Sequence, residues 1–133
     1  LTLSLLDYRE GVLSLTGQHE EVIVVRANGT VERVDTVDLG FPVGLEYDIQ
    51  DFIAEAKITL NKGDSVVLYT DGVTEAEDME GRQYGIERLC KVVGRFHDKS
   101  AREIKAAILN DVNWHIGEQK LFDDITMVVL KRR

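Results

Sequence analysis

Two short acidic stretches in this sequence have the residue types and the setting to do chemistry. Asp71 ends the apolar run Val66-Val67-Leu68-Tyr69-Thr70 and is followed by Gly72. A buried strand there would deliver a carboxylate to the rim of a sheet, and the glycine would let the chain turn away. Asp123-Asp124 stands directly before a second apolar run, Ile125-Thr126-Met127-Val128-Val129-Leu130. Were the two runs antiparallel neighbours, the end of one and the start of the other would share an edge, and three carboxylates would converge. Like charges held that close are costly unless a cation neutralises them, so convergence implies a hard, oxygen-preferring metal, Mg2+ or Mn2+. The same residues also suit ordinary turns, where Asp-Gly and Asp-Asp are common, and order along the chain does not settle which strands are neighbours. Nucleophilic chemistry is poorly supplied. Cys90 falls on an apolar helical stripe, as a core residue would, and no Ser/His/Asp constellation stands out.

The elements that must position these acids can be read from periodicity. Leu1 to Asp7 and Val12 to Thr16 read as strands around the turn Tyr8-Arg9-Glu10-Gly11, and Glu21 to Arg26 and Thr30 to Val37 flank Asn28-Gly29, a strong hairpin signal. Phe52 to Leu60 alternates, with Phe52, Ala54, Ala56, Ile58 and Leu60 on one face. Asn61-Lys62-Gly63-Asp64 then turns into the continuous apolar strand Ser65 to Thr70, of the kind buried on both faces. Two helices come next. Ile86, Leu89, Cys90 and Val93 recur at helical spacing in the first, with Gly94 near its end. The second opens on the capping box Ser100-Ala101-Arg102-Glu103, carries the stripe Ile104, Ile108, Val112 and Ile116, and can close at Gly117. Trp114 lies off that stripe. The spacing predicts one α+β unit: antiparallel strands in the first half, then two helices near 85–95 and 100–117, and a final strand over 125–130.

Tyr69-Thr70-Asp71-Gly72-Val73-Thr74-Glu75-Ala76, followed by Phe122-Asp123-Asp124-Ile125-Thr126, resembles the two C-terminal motifs of the PPM (protein phosphatase type 2C-like) metal-dependent serine/threonine phosphatases. More narrowly, it is similar to the bacterial SpoIIE/RsbU-like branch. Supporting elements come in the same order. Gly17-Gln18-His19 is similar to an Ala-Gly-His turn, Arg26-Ala27-Asn28-Gly29 to the next hairpin, and Gly40-Phe41-Pro42-Val43-Gly44-Leu45 to a Gly-x-Pro-Leu-Gly segment. Leu60-Asn61-Lys62-Gly63-Asp64 resembles the lead into the metal-binding strand, and Tyr84-Gly85-Ile86-Glu87-Arg88-Leu89 the first helix.

The resemblance covers essentially the whole chain. It implies part of an α/β/β/α sandwich, with Asp71 and Asp123 as ligands of Mn2+ or Mg2+ and Asp124 and Glu75 as further acids near the metals. His19 stands at a substrate-contact position, although Gln18 and Glu20-Glu21 depart from the branch's pattern around it. The implied reaction is in-line attack of a metal-activated water on phosphoserine or phosphothreonine. The implied partner is a phosphoprotein such as an anti-sigma-factor antagonist-like domain. The family's Asp-Val-x-Gly-His-Gly-like segment is missing. Residues 1–133 are therefore expected to be the C-terminal portion of such a domain, inactive alone, with uncovered sheet edge that invites self-association.

Composition narrows the alternatives. A length of 133 residues, 44% hydrophobic and 30% charged, fits one soluble domain, and 24 acidic against 16 basic residues give a net charge of −8 that disfavours nucleic acid. A single cysteine excludes an internal disulfide framework, and no apolar run approaches the roughly 20 residues of a membrane span. These point to a cytoplasmic setting without direct membrane contact. The run from Val67 to Thr74 superficially resembles a haloacid-dehalogenase motif, but Tyr69 occupies the position where that chemistry needs a nucleophilic Asp. A non-catalytic regulatory protein-binding module is the alternative of a different class.

Overall fold

The computed structural model describes residues 4–17, 20–35, 55–118 and 125–133. Their order is β1 (Ser4–Arg9), β2 (Val12–Gly17), β3 (Val22–Val25), β4 (Val31–Val34), β5 (Glu55–Thr59), β6 (Ser65–Tyr69), α1 (Asp71–Thr74), α2 (Ile86–Arg95), α3 (Ala101–Ile116) and β7 (Met127–Lys131). The strands form two antiparallel sheets. One runs β1-β2-β5, the other β4-β3-β6-β7.

Side-chain alternation divides the core in two. From the four-stranded sheet, Val22, Val24, Val66 and Leu68 meet Leu13, Leu15 and Ile58 of the other sheet. Its opposite face, with Ile23, Val25, Val67 and Tyr69, packs under Leu89, Val93, Ile104, Ile108, Val112 and Ile116 of α2 and α3. The described residues thus form three layers, helices on sheet on sheet. Every residue of β6 is buried because both its faces are covered, which explains why its sequence runs apolar without alternating. The expected pairing of the last two apolar strands is present, with Tyr69 opposite Met127 and Ser65 opposite Lys131.

Local chemistry fixes the turns. The first hairpin turns on Glu10 and Gly11 alone, both at positive φ (51° and 84°), so β1 runs through Tyr8 and Arg9, which sequence spacing assigns to the turn. With both residues at positive φ, this two-residue turn matches the right-handed twist of the strands, which a type I or II turn would splay. The second hairpin has the three-residue loop Ala27-Asn28-Gly29, closed by the Gly29 amide donating to the Arg26 carbonyl at 2.9 Å. At the start of α3, Ser100 Oγ accepts from the Glu103 amide at 3.2 Å. The Glu103 carboxylate takes the Ser100 hydroxyl (3.0 Å), not the backbone amide that a reciprocal box would satisfy. The apolar stripe of α3 is buried as its spacing predicts, while Trp114 is 78% exposed.

Two inner faces are incompletely covered. Leu6 and Tyr8 lie directly across from Leu15 and Leu13, and Val128 and Leu130 across from Leu68 and Val66, so all four belong to the faces turned toward the sandwich interior. They are nevertheless 40%, 47%, 45% and 37% exposed, because β1 and β7 are the ends of their sheets. Among the described residues, no helix is long and apolar enough to cross a membrane.

Candidate active site

β6 pairs with β3 over Ser65–Val67 and with β7 along its whole length, so the residues at its C-terminal end are held from the β7 side. There the ladder closes on a pair of threonines. The Thr70 amide donates to the Thr126 carbonyl at 3.0 Å, and the Thr126 amide donates to Thr70 Oγ1 at 3.2 Å. Thr70 stays extended (φ −94°, ψ 165°) and caps the one-turn helix α1, which begins at Asp71 where the sequence suggests only a turn. Gly72 and Val73 are buried beneath the turn, and Asp71 is exposed above it. Among the described residues, no hydrogen bond or ion pair engages the Asp71 carboxylate. Glu75 comes one turn later, exposed, its amide donating to the Asp71 carbonyl at 2.8 Å.

His19, Asp123 and Asp124 lie outside the described residues, so their meeting with Asp71 is not among the described contacts. The described partner of this edge is the strand to which Asp124 is covalently joined, entering at Ile125 and paired to β6 from Met127. Among the described residues, no group of three or more His, Cys, Asp or Glu side chains could hold a metal ion. Asp71, a carboxylate without a partner among the described residues, suits a hard cation as one donor of a larger set. Cys90 is half-buried against the helix-side core, and burial raises its thiol pKa, as the core reading requires.

The sequence model of the family described as Stage II sporulation protein E (SpoIIE) matches residues 1–133. The chain belongs to the SpoIIE family. Protein IcfG of Synechocystis sp. (strain ATCC 27184 / PCC 6803 / Kazusa) is 31% identical over 99% of this chain and 20% of its own length. Phosphoserine phosphatase RsbU of Bacillus subtilis (strain 168) is 26% identical over 96% of the chain and 36% of its own length. The phosphatase domain of the cell-fate determinant SpoIIE from Bacillus subtilis, solved after presoaking with Mn, superposes with a TM-score of 0.67 at 16% identity, over 99% of this chain and 56% of that one. The α+β fold with antiparallel sheets is that of PP2C-like phosphatase domains. This SpoIIE-family chain spans little more than half of that solved domain and well under half of the two relatives.

The structure also shows what frames the acidic edge in this family member, which periodicity and motifs do not reveal. Residues 76–84 fold back as a small loop. The Tyr84 amide donates to the Ala76 carbonyl (2.7 Å), the Gly85 amide to the Thr74 carbonyl (2.8 Å), and Asp78 gathers the amides of Glu80 and Arg82 together with Arg82 Nε (2.8 Å). A half-buried network ties this loop to α3. Arg88 grips both oxygens of Asp111 (2.9 and 3.1 Å) and stacks over Tyr84, whose hydroxyl donates to Asp111 at 2.7 Å. The Arg88 bonds hold the Asp111 carboxyl below its ordinary pKa against the opposing effect of burial, and burial together with the bond to Asp111 raises Tyr84. Arg88 Nη1 reaches His115 Nδ1 (3.1 Å), which must therefore be the acceptor nitrogen, leaving His115 Nε2 to donate to the Arg82 carbonyl (2.9 Å). A polar residue on a helix reads as solvated surface in sequence, so no periodicity signals such a partnership.

Beneath β6, Asp64 is 2% exposed and accepts from the amides of Ala27 (2.8 Å) and Asn61 (2.9 Å) and from Arg26 Nη1 (3.0 Å). It locks the β3–β4 loop to the turn that launches β6. Gly63 belongs to the same joint, since a Cβ there would stand 2.9 Å from that of Ala27.

Proposed function

We propose that residues 1–133 are the C-terminal portion of a SpoIIE-like protein serine/threonine phosphatase domain that hydrolyses phosphoserine or phosphothreonine on a signalling protein. The observation that carries this reading is the Asp71 carboxylate, without a partner among the described residues, delivered by a fully buried strand to an edge shared with the strand that comes after Asp123-Asp124. In this reading Asp71 and Asp123 hold Mn2+ or Mg2+, with Asp124 and Glu75 close by and His19 at the substrate. A cation bound there supplies an activated water and offsets the charge of the phosphate. The chain's own part is to hold Asp71 still, through the Thr70–Thr126 pair and α1, and to keep the site's floor dry with Gly72 and Val73.

The rest of the catalytic acids, in this reading, come from the other portion of the domain. The exposed inner-face residues Leu6, Tyr8, Val128 and Leu130 fit such a cover, and the length of the relatives gives it room. The phosphoprotein is an anti-sigma-factor antagonist-like domain, the setting is cytoplasmic, and the isolated chain is inactive.

The test uses the full-length protein with a phosphoserine peptide and Mn2+. Asp71→Asn keeps size and fold but removes a cation-binding charge, and phosphate release should fall by at least about a thousandfold. Turnover within a few-fold of the parent at saturating Mn2+ would show that Asp71 is no ligand and remove the reading's main support.

A further inference from the structure

The helix that presents Asp71 is a single turn, Asp71–Thr74. Four residues do not hold a helix by themselves, because nucleation fixes more backbone than one turn of hydrogen bonds repays. Among the described residues, α1 is tied in place at both ends. The tie before it is the Thr70–Thr126 pair. The tie behind it is Tyr84-Gly85, with the Gly85 amide donating to the Thr74 carbonyl (2.8 Å) and the Tyr84 amide to the Ala76 carbonyl (2.7 Å). Gly85 aims its amide from φ 81° and ψ 154°, a conformation that strains any residue with a Cβ.

What fixes Tyr84 comes from the two long helices. Its ring is 4% exposed, with the Arg88 guanidinium of α2 5.0 Å from the ring centroid and His115 of α3 edge-on at 5.6 Å. Its hydroxyl donates to Asp111 of α3, and Arg88 holds both oxygens of the same carboxylate. Half-buried charges of this kind add little net stability over apolar packing, because desolvation offsets their attraction. Their hydrogen bonds are directional where apolar contacts are not, so the network supplies orientation. What it orients, through Tyr84 and Gly85, is the turn from which Asp71 and Glu75 emerge.

We infer that Asp111 and Arg88 are positioning residues for the cation edge: acting through Tyr84, they fix α1 and so set how Asp71 meets the metal. The inference rests on the phosphatase reading for its cation, and the test separates the two. The full-length protein is measured as wild type, Asp111→Ala and Asp64→Asn, the last weakened at the opposite end of β6 from Asp71. Hydrogen exchange at the Glu75 and Ala76 amides is followed without metal, and Mn2+ affinity by calorimetry. Turnover of a phosphoserine peptide at fixed, subsaturating Mn2+ gives kcat and KM.

Asp111→Ala should speed exchange at Glu75 and Ala76 about tenfold and weaken Mn2+ about tenfold, the usual effect of losing a group that supports a metal ligand. It should lower kcat while the peptide KM stays constant, and Asp64→Asn should leave Mn2+ affinity where it is. Should Asp111→Ala fail to fold, Tyr84→Phe keeps the ring and the amide bond to Ala76 and should shift all three readings in the same direction. Parental Mn2+ affinity, an equal loss in Asp64→Asn, or a change in KM alone would make the network ordinary scaffolding and overturn the inference. Weaker Mn2+ binding without faster exchange would also overturn it, because the effect would not run through α1. If the expected shifts in exchange and Mn2+ affinity appear but the wild type hydrolyses no phosphoserine peptide, the positioning role stands and the phosphatase reading falls. Hydrolysis by the wild type with Mn2+ affinity indifferent to Asp111→Ala removes the positioning role alone, and a wild type that neither binds Mn2+ nor hydrolyses removes both.

Discussion

Replacing Asp64 should be among the most damaging single changes in this chain. Its carboxylate is 2% exposed and accepts three hydrogen bonds, two from backbone amides and one from the guanidinium of Arg26. Asp64→Ala leaves those donors without a partner at a buried joint. Removing one member of such a charge-paired cluster costs about 3–5 kcal/mol. With a urea slope of about 2 kcal/mol/M for a chain of this size, the unfolding midpoint should fall by about 2 M. Asp64→Asn is the sharper probe, because it keeps the shape and one acceptor while deleting the charge.

Burial alone would raise the Asp64 pKa, but the amides of Asn61 and Ala27 and the bond and charge of Arg26 outweigh it, so the folded-state value lies below the unfolded one. A depressed carboxylate contributes stability that is fully present above the unfolded pKa of about 3.9 and is lost as pH falls through the folded value. The stability gap between wild type and Asp64→Asn should therefore stay constant from pH 7 to about 5 and close below about pH 4. Other acids with depressed pKa, Asp78 and Asp111, are common to both proteins and cancel in the difference. Urea titrations from about pH 3 to about pH 7 read this directly. A gap that is unchanged at the acid end, or that widens on acidification, would refute the argument that Asp64 acts as a buried anion.

Other outcomes rest on the same contacts. Asp111→Ala should cost about 1–3 kcal/mol by releasing Arg88 and Tyr84, and hydrogen exchange in residues 76–85 should accelerate more than in β3. Gly11→Ala, at φ 84° with Arg132 Nη1 only 2.6 Å from the added Cβ, should lower stability by about 1–2 kcal/mol in thermal melts. The isolated chain should self-associate in light scattering, and Leu130→Lys with Tyr8→Lys should make it monomeric, since both positions belong to uncovered inner faces. Calorimetric titration of the isolated chain with Mn2+ should show weak binding or none, and tight binuclear binding would mean that it holds a fuller ligand set than Asp71 and its neighbours.

Much of the frame was legible because each element carries its own periodic signal. The stripe Ile104, Ile108, Val112 and Ile116 specified which face of α3 is buried. The unbroken apolar run of β6 announced burial on both faces, and the apolar character of β7 beside an acidic pair suggested the antiparallel pairing that places Thr70 against Thr126. The motif around Asp71 gave the family before any coordinate. Sequence by itself therefore determined most of the described elements, their buried faces and the identity of the exposed acid, because these depend on residues near one another in the chain.

What it could not determine was the division of strands into two sheets, the α1 turn under Asp71, the Asp64 joint, the Arg88–Asp111–Tyr84 network and the burial of a Tyr69 hydroxyl without a partner among the described residues. Each of these is set by residues distant in sequence whose polar groups reveal a partner only when the chain has closed on itself. Asp64 and Asp78 look alike as turn acids in sequence. Tertiary structure buries the first under two loops and leaves the second at the rim of its own, because only packing decides which carboxylate must find its hydrogen bonds away from water.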